Sequence, residues 1–166
     1  MASVRRPTRY RRRWRGAAPV APGFQRHHLI PIALLARPQM AAMFEMLASG
    51  GFALHRFDLN GVVLPASERT ALRSGHALHR GPHPGYSDVV AARVECIRAH
   101  FAGEAPSVQC RATTTAIMRL RLLQDTMRRA LTDRHGLGFW LNRRDPMRLF
   151  ADRPYLDDAI DRLYGD

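Results

Sequence analysis

Four of the eight histidines of the chain occur in two short stretches whose composition suggests chemistry. His27 and His28 are adjacent, and His79 and His83 are four residues apart. Imidazole is the commonest side-chain metal ligand, and it titrates near neutral pH without perturbation. The two stretches therefore predict metal binding, proton transfer, or both. We expect them to form one hydrolytic site with the segment around Asn60, which lies between them.

The spacing of each histidine pair constrains what the pair can do. Neighbouring side chains of a strand point to opposite faces, so His27 and His28 would serve one site only at a twisted or bulged strand end. There, one imidazole can face a metal ion while the other faces an attacking water. A spacing of four can bring His79 and His83 onto one ion. The alternative for His79 and His83 is that they are two ordinary solvated histidines.

The surrounding pattern predicts an α+β fold that is mostly helical. Residues 24–30 have the character of a strand, and Asn60-Gly61 indicates the turn of a small antiparallel hairpin near the histidines. Pro38 should kink or split the first helical pattern. The Gly81-Pro82 pair predicts a turn that delivers His83 to a helix N-terminus. Helical patterns or helix start signals are found at 32–48, from 65 onwards, at 84–101, at 107–133 and after Pro154.

The first 23 residues differ from the rest of the chain. Residues 1–15 contain seven arginines together with Tyr10 and Trp14, and residues 16–23 have the composition of a linker. Arginines interleaved with aromatic side chains can bind a sugar-phosphate backbone and stack on bases. The alternative is a disordered tail that only increases solubility. We expect a flexible Arg-rich tail over 1–23 and one folded domain over 24–166.

The charge of the chain points to a polyanionic partner. The formal net charge is +12 over 166 residues, and all 26 basic residues other than histidine are arginine. Guanidinium groups bind phosphate in a bidentate manner, which suits a nucleic acid. Biased codon use would explain the choice of arginine over lysine equally well, but it does not explain the positive sum.

Cysteine content and hydropathy exclude several other classes. Cys96 and Cys110 form no C-x-x-C pair, so a zinc finger or a disulfide framework is not expected. We interpret them as reduced, partly buried thiols of a reducing compartment. No apolar run approaches the roughly 20 residues that span a bilayer, and no secretory signal follows the cationic N-terminus. We therefore expect no membrane partner and a cytoplasmic location, with secretion or delivery as a toxin as the alternative.

The order of three motifs resembles a known family. The stretches HHLIP, NGVVLP and HRGPHPGY, within residues 24–92, are similar to those of the AHH-type nucleases, a branch of the HNH/endonuclease VII superfamily that includes bacterial toxin domains. The resemblance implies a ββα-metal core over 24–92, and residues 93–166 would be a helical extension. Arg26 stands where the family name has alanine. That position is not expected to bind metal, so the departure does not affect the predicted activity.

The resemblance also implies roles for individual residues. His28 would be the general base that takes a proton from the attacking water. Asn60 would orient His28 through a hydrogen bond. The remaining three histidines would hold one divalent metal ion; these are His27, His79 and His83. An all-imidazole set favours zinc, with magnesium or manganese as the alternative working ion.

Substrate and partners follow less directly. Arg26 and Arg80 would bind the substrate backbone, and Tyr86 would either contact phosphate or support the metal ligands. DNA is the first choice of substrate by resemblance, and RNA is the alternative. A toxin role would imply an acidic immunity protein as partner. The rival interpretations are a non-catalytic nucleic-acid-binding protein and a helical interaction protein whose apolar stripe over 107–133 is covered by a partner.

Overall fold

The computed structural model describes residues 19–132 and 140–142, and the statements below refer to this part of the chain. It has the predicted α+β, mostly helical architecture. The elements in chain order are β1 (Phe24–His28), a 3₁₀ helix (Ile32–Ala36), α1 (Pro38–Ser49), α2 (Phe57–Asn60), β2 (Gly61–Pro65), α3 (Glu68–Ser74), β3 (Leu78–Arg80), α4 (Pro84–Gly103), a second 3₁₀ helix (Pro106–Val108), α5 (Gln109–Thr132) and β4 (Trp140–Asn142).

The antiparallel pair of β1 and β2 holds the histidine pair. His27 lies opposite Val62 and His28 lies opposite Gly61 in a register that runs without interruption from Phe24. Because strand side chains alternate, Gln25 and His27 share one face of β1 and His28 lies on the other. The predicted antiparallel pairing near the histidines is confirmed. A second, parallel pair joins β3 to β4 and was not expected.

The predicted tight turn at Asn60-Gly61 is wrong. Asn60 is the last residue of α2, and Gly61 begins β2 with φ −132° and ψ 157°, an extended conformation that any residue adopts. The glycine is needed for space rather than for backbone freedom. A Cβ at Gly61 would lie 2.3 Å from the Phe57 ring and 2.5 Å from the Phe57 carbonyl oxygen. Gly61 therefore allows the Phe57 ring to lie directly on β2.

We expect Gly61→Ala to lower the free energy of unfolding by about 1–3 kcal/mol, the usual cost of overpacking. The clash involves a backbone carbonyl as well as a ring, so side-chain movement alone does not relieve it. Urea denaturation of the wild type and the variant measures the change. Gly103→Ala is the matched control, because a Cβ there meets nothing within 4 Å. Equal effects of the two changes would show that the Phe57 contact does not constrain position 61.

The core lies between the sheet and the three longer helices, which contact one another. Pro38 splits the first helical pattern, as predicted, and is the first residue of α1, where a missing N–H costs no hydrogen bond. The predicted stripe of α5 is buried in the chain's own core, which accounts for it without a partner. Its members are Ile117, Leu120, Met127 and Leu131. Within the described ranges, no helix is long and apolar enough to cross a bilayer.

Of three other expectations, one is wrong in part, one is confirmed and one concerns residues outside the described ranges. Both cysteines are free, but Cys96 and Cys110 are exposed rather than partly buried. Helix α3 begins where the Pro65–Glu68 signal placed it, and the Ser67 side chain caps it by accepting from the Thr70 N–H at 3.3 Å. Residues 1–18 of the tail predicted over 1–23, and the predicted helix after Pro154, lie outside the described residues.

Candidate metal centre and hydrolytic site

Three imidazoles from three different elements meet at one point. His27 comes from β1, His79 from β3 and His83 from the residue that precedes α4. Their ring centroids are 4.8–5.1 Å apart, and one nitrogen of each ring lies within 4.8 Å of the others. The Nε2 atoms of His79 and His83 are 3.2 Å apart. Two ligands of one tetrahedral zinc ion would be separated by roughly 3.3 Å. The three side chains could therefore hold one metal ion.

The burial of this cluster also favours a cation. His27 is only 3% exposed, and its buried Nε2 has no hydrogen-bond partner within the described part of the chain. A buried polar atom without a partner is costly, and a bound cation would satisfy it. Burial, with the neighbouring imidazoles of His83, His79 and His28, lowers the pKa of His27 to about 2. Burial and then His83 lower the pKa of His79 to about 4. Both rings are neutral at pH 7 and keep a lone pair for a metal.

Gln25 contacts one of the three clustered imidazoles, and the motifs gave no indication of this contact. His79 Nδ1 lies 3.0 Å from Gln25 Oε1. An amide oxygen can only accept, so the proton of the neutral His79 ring is on Nδ1 and its Nε2 lone pair faces the other imidazoles. The signal was present in the sequence. Gln25 precedes His27 by two residues and therefore lies on the metal-facing side of β1.

We expect Gln25→Ala to weaken zinc binding about 10- to 100-fold, the usual effect of losing the hydrogen bond that orients a ligand. Competition with a chromophoric chelator measures the affinity. Gln39→Ala is the control, since Gln39 is exposed in α1. Unchanged affinity in Gln25→Ala would mean that the His79 ring is held by other contacts.

Tyr86 does not lie on the substrate side. It is fully buried, and its hydroxyl donates to the Leu29 carbonyl at 2.7 Å. Its ring lies 4.8 Å from that of His27 and 5.6 Å from that of His83, edge-on to both. Burial raises the pKa of Tyr86, so it remains a neutral donor. Its burial and its bond to Leu29 leave no exposed hydroxyl for the predicted phosphate contact. The other alternative, support of the metal ligands, stays a prediction, and the ring contacts with His27 and His83 agree with it.

His28 lies on the face of β1 opposite His27. It is half-buried, and its ring meets the Phe57 ring edge-on with 5.6 Å between centroids. Burial, followed by the neighbouring His55, lowers the pKa of His28. His27 and His28 obey the normal alternation, without a bulge, yet they remain within electrostatic reach of each other. The His27 ring thus joins the histidine cluster, while the His28 ring is separate from it.

Asn60 acts on the backbone beyond His28 instead of on its ring. Its amide group donates to the carbonyls of Ile30 and Leu54, each at 2.9 Å, and its oxygen accepts from the Ile30 N–H at 2.9 Å and from Gln124 Nε2 at 3.0 Å. These four bonds use the full capacity of the amide. The predicted hydrogen bond from Asn60 to the His28 ring is therefore wrong, because no donor or acceptor of the amide is left for it. The Asn60 carbonyl also accepts from the Leu29 N–H at 3.0 Å, so Asn60 fixes the chain directly after His28.

Helix α5 contacts residues 59–61, although the sequence analysis placed this helix in an extension outside the 24–92 motif core. Gln124 binds the Asn60 side chain, and one turn later Arg128 donates to the carbonyls of Gly61 at 2.6 Å and Leu59 at 2.7 Å. Three consecutive residues before and within β2 are therefore held by one face of α5. Nothing local in the sequence connects positions more than 60 residues apart, so these contacts could not be read from the motifs.

The two arginines predicted to bind substrate lie at different places. Arg26 is half-buried on the His28 face of β1, with its guanidinium carbon 5.5 Å from the Phe57 ring centroid. Arg80 is exposed at the end of β3, next to His79. Both positions flank the histidine cluster. Their contact with a substrate stays a prediction.

Comparison with known proteins gives one family. A model of the AHH family, described as a nuclease family of the HNH/ENDO VII superfamily with conserved AHH, matches residues 9–124. No curated protein and no solved structure matches the chain. The match continues beyond residue 92, where the motif resemblance ended, and it reaches Gln124 in α5. This extent agrees with the contacts that α5 makes to the segment around Asn60.

Proposed function

Because the chain belongs to the AHH nuclease family of the HNH/ENDO VII superfamily, we propose that it is a metal-dependent endonuclease that hydrolyses phosphodiester bonds with little sequence specificity. The observation that carries the proposal is the convergence of His27, His79 and His83, with His28 next to them on β1. An ion-ligand cluster beside a separate imidazole is the set of groups that metal-assisted hydrolysis needs.

The metal would be held by His27, His79 and His83. When bound, a divalent ion neutralises the negative charge that develops on the phosphate and on the leaving oxygen. Gln25, by its contact with His79 Nδ1, would leave the Nε2 lone pair of His79 free to bind such an ion, and the Tyr86 ring packs edge-on against His27 and His83. The all-imidazole set favours zinc as the ion found bound, and magnesium or manganese is the alternative working ion.

His28 is the proposed general base. A neutral imidazole accepts a proton from the attacking water, and the lowered pKa keeps His28 neutral at pH 7. The backbone on the C-terminal side of His28 is fixed by Asn60, which is held in turn by Gln124. The ring is thereby positioned without a direct hydrogen bond from the asparagine. Asn60 contributes to catalysis as a positioning residue.

The substrate is proposed to be DNA, with RNA as the alternative. The net charge of +12 favours a polyanion, and Arg26 and Arg80 flank the histidine cluster where a phosphate backbone would approach it. Phosphate contacts carry no sequence information, which is the basis for proposing low specificity.

A toxin role is proposed from the family resemblance and from the small, basic character of the chain. Its expected partner is an acidic immunity protein, since opposite charge speeds association and favours pairing. We expect expression of the wild type without such a protein to stop cell growth, and expression of His28→Ala to be tolerated. Normal growth with the wild type, alongside cleavage in vitro, would count against the toxin role.

The test is cleavage of supercoiled plasmid and of a structured RNA by the purified chain. The protein is first stripped with EDTA and then supplied with zinc, magnesium or manganese in separate reactions. We expect no cleavage after stripping and nicking of DNA after at least one addition. Retarded migration of the plasmid without nicking under every condition would favour the rival interpretation, a non-catalytic nucleic-acid-binding protein.

A further inference from the structure

We infer that Phe57 is a positioning residue that sets the orientation of the His28 imidazole and of the Arg26 guanidinium. The inference rests on the proposed role of His28 as general base. The Phe57 ring meets the His28 ring at an interplanar angle of 87° with 5.6 Å between centroids. The same ring lies 5.5 Å from the guanidinium carbon of Arg26. One aromatic side chain therefore contacts both functional groups on this face of β1.

The position of the Phe57 ring is itself fixed by the strand beneath it. Its Cδ2 atom would be 2.3 Å from a Cβ at Gly61, so the ring lies against the backbone at that position. Gly61 is the residue that pairs with His28 in the β1–β2 register. The ring thus covers the strand position directly beside His28. Phe57 is also the first residue of the short helix α2. That helix ends at Asn60, whose side-chain amide is held by hydrogen bonds.

This placement matters because His28 is the last residue of β1. A half-buried imidazole at a strand end can rotate about its side-chain torsions unless a neighbour restricts it. An edge-on aromatic contact restricts the ring plane, and the negative face of a phenyl ring attracts a guanidinium. A general base must lie within hydrogen-bond reach of the proton that it takes, so a change in ring orientation lowers the rate of the chemical step.

The inference predicts a specific pattern of kinetic change. Phe57→Leu should lower kcat about ten- to a hundredfold at saturating metal, as expected for a misplaced reacting group. The affinity for metal should stay unchanged, because Phe57 packs against His28, on the face of β1 opposite the one that carries His27. Phe57→Tyr, which retains the ring, should recover most of the lost kcat. Phe52→Leu is the matched control, since Phe52 stacks on Phe44 in the core.

A spectroscopic measurement tests the contact independently of activity. In the wild type, the ring protons of His28 should show nuclear Overhauser effects to the Phe57 ring and a ring-current shift, and Phe57→Leu should remove both. The inference is overturned if these signals are absent from the folded wild type. It is also overturned if Phe57→Leu keeps the wild-type kcat, or loses no more than Phe52→Leu. A wild type that cleaves nothing under any metal would instead end the proposed function, and this inference with it.

Discussion

Replacing His28 with alanine should lower kcat for phosphodiester cleavage by about 10²- to 10⁴-fold, the range that general acid–base catalysis supplies. The ring lies on the face of β1 opposite the ligand cluster, so its removal leaves His27, His79 and His83 in place. Metal affinity should therefore be unchanged. The measurement is the cleavage rate of an oligonucleotide at saturating metal, together with a direct metal titration of the same preparation.

His55→Ala is the informative control for that experiment. His55 is exposed and close enough to His28 to lower the pKa of its imidazole. If His28 is the base, loss of His55 should change kcat far less than loss of His28. A large loss in His55→Ala combined with a small loss in His28→Ala would transfer the role to His55. Loss of metal binding in His28→Ala would show instead that His28 belongs to the ligand set.

The convergence of the three histidines could be predicted because its signal in the sequence is local. Residue type and spacing identify His79 and His83 as a pair. The Gly81-Pro82 turn lies between them, so His79 belongs to β3 and His83 directly precedes α4. The alternation rule for strands also holds at His27 and His28. The bulge or twist that we expected at His27 and His28 is not needed, because the register is uninterrupted there. A regular strand places His27, a candidate ligand, on one face and His28, the candidate base, on the other.

The errors arose where tertiary contacts override a local signal. Asn60-Gly61 is a strong turn signal, but here the asparagine satisfies backbone groups of two other segments and the glycine makes room for Phe57. The support from Gln124 and Arg128 depends on a helix that is remote in the sequence. Burial of Tyr86 likewise follows from packing and not from its motif.

Replacing His83 with alanine should abolish both metal-dependent stabilisation and cleavage. A ligand that binds only the folded state stabilises it by about 2.7 kcal/mol at a concentration one hundred times its Kd. We expect the wild type to gain about this free energy of unfolding when metal is added, and His83→Ala to gain little. His83 is chosen because it is half-buried before α4, whereas removal of the buried His27 would also leave a cavity.

The control for this second change is His100→Ala, since His100 is an exposed imidazole near the other end of α4. It should keep the full gain in stability and the full rate, which separates the ligand set from a general effect of histidine content. Two ligands, His27 and His79, would remain in His83→Ala, and two imidazoles bind a divalent ion far more weakly than three in a fixed arrangement. Wild-type stabilisation in that variant would therefore mean that the ion binds elsewhere. The convergence of the three rings would then be packing rather than a metal centre.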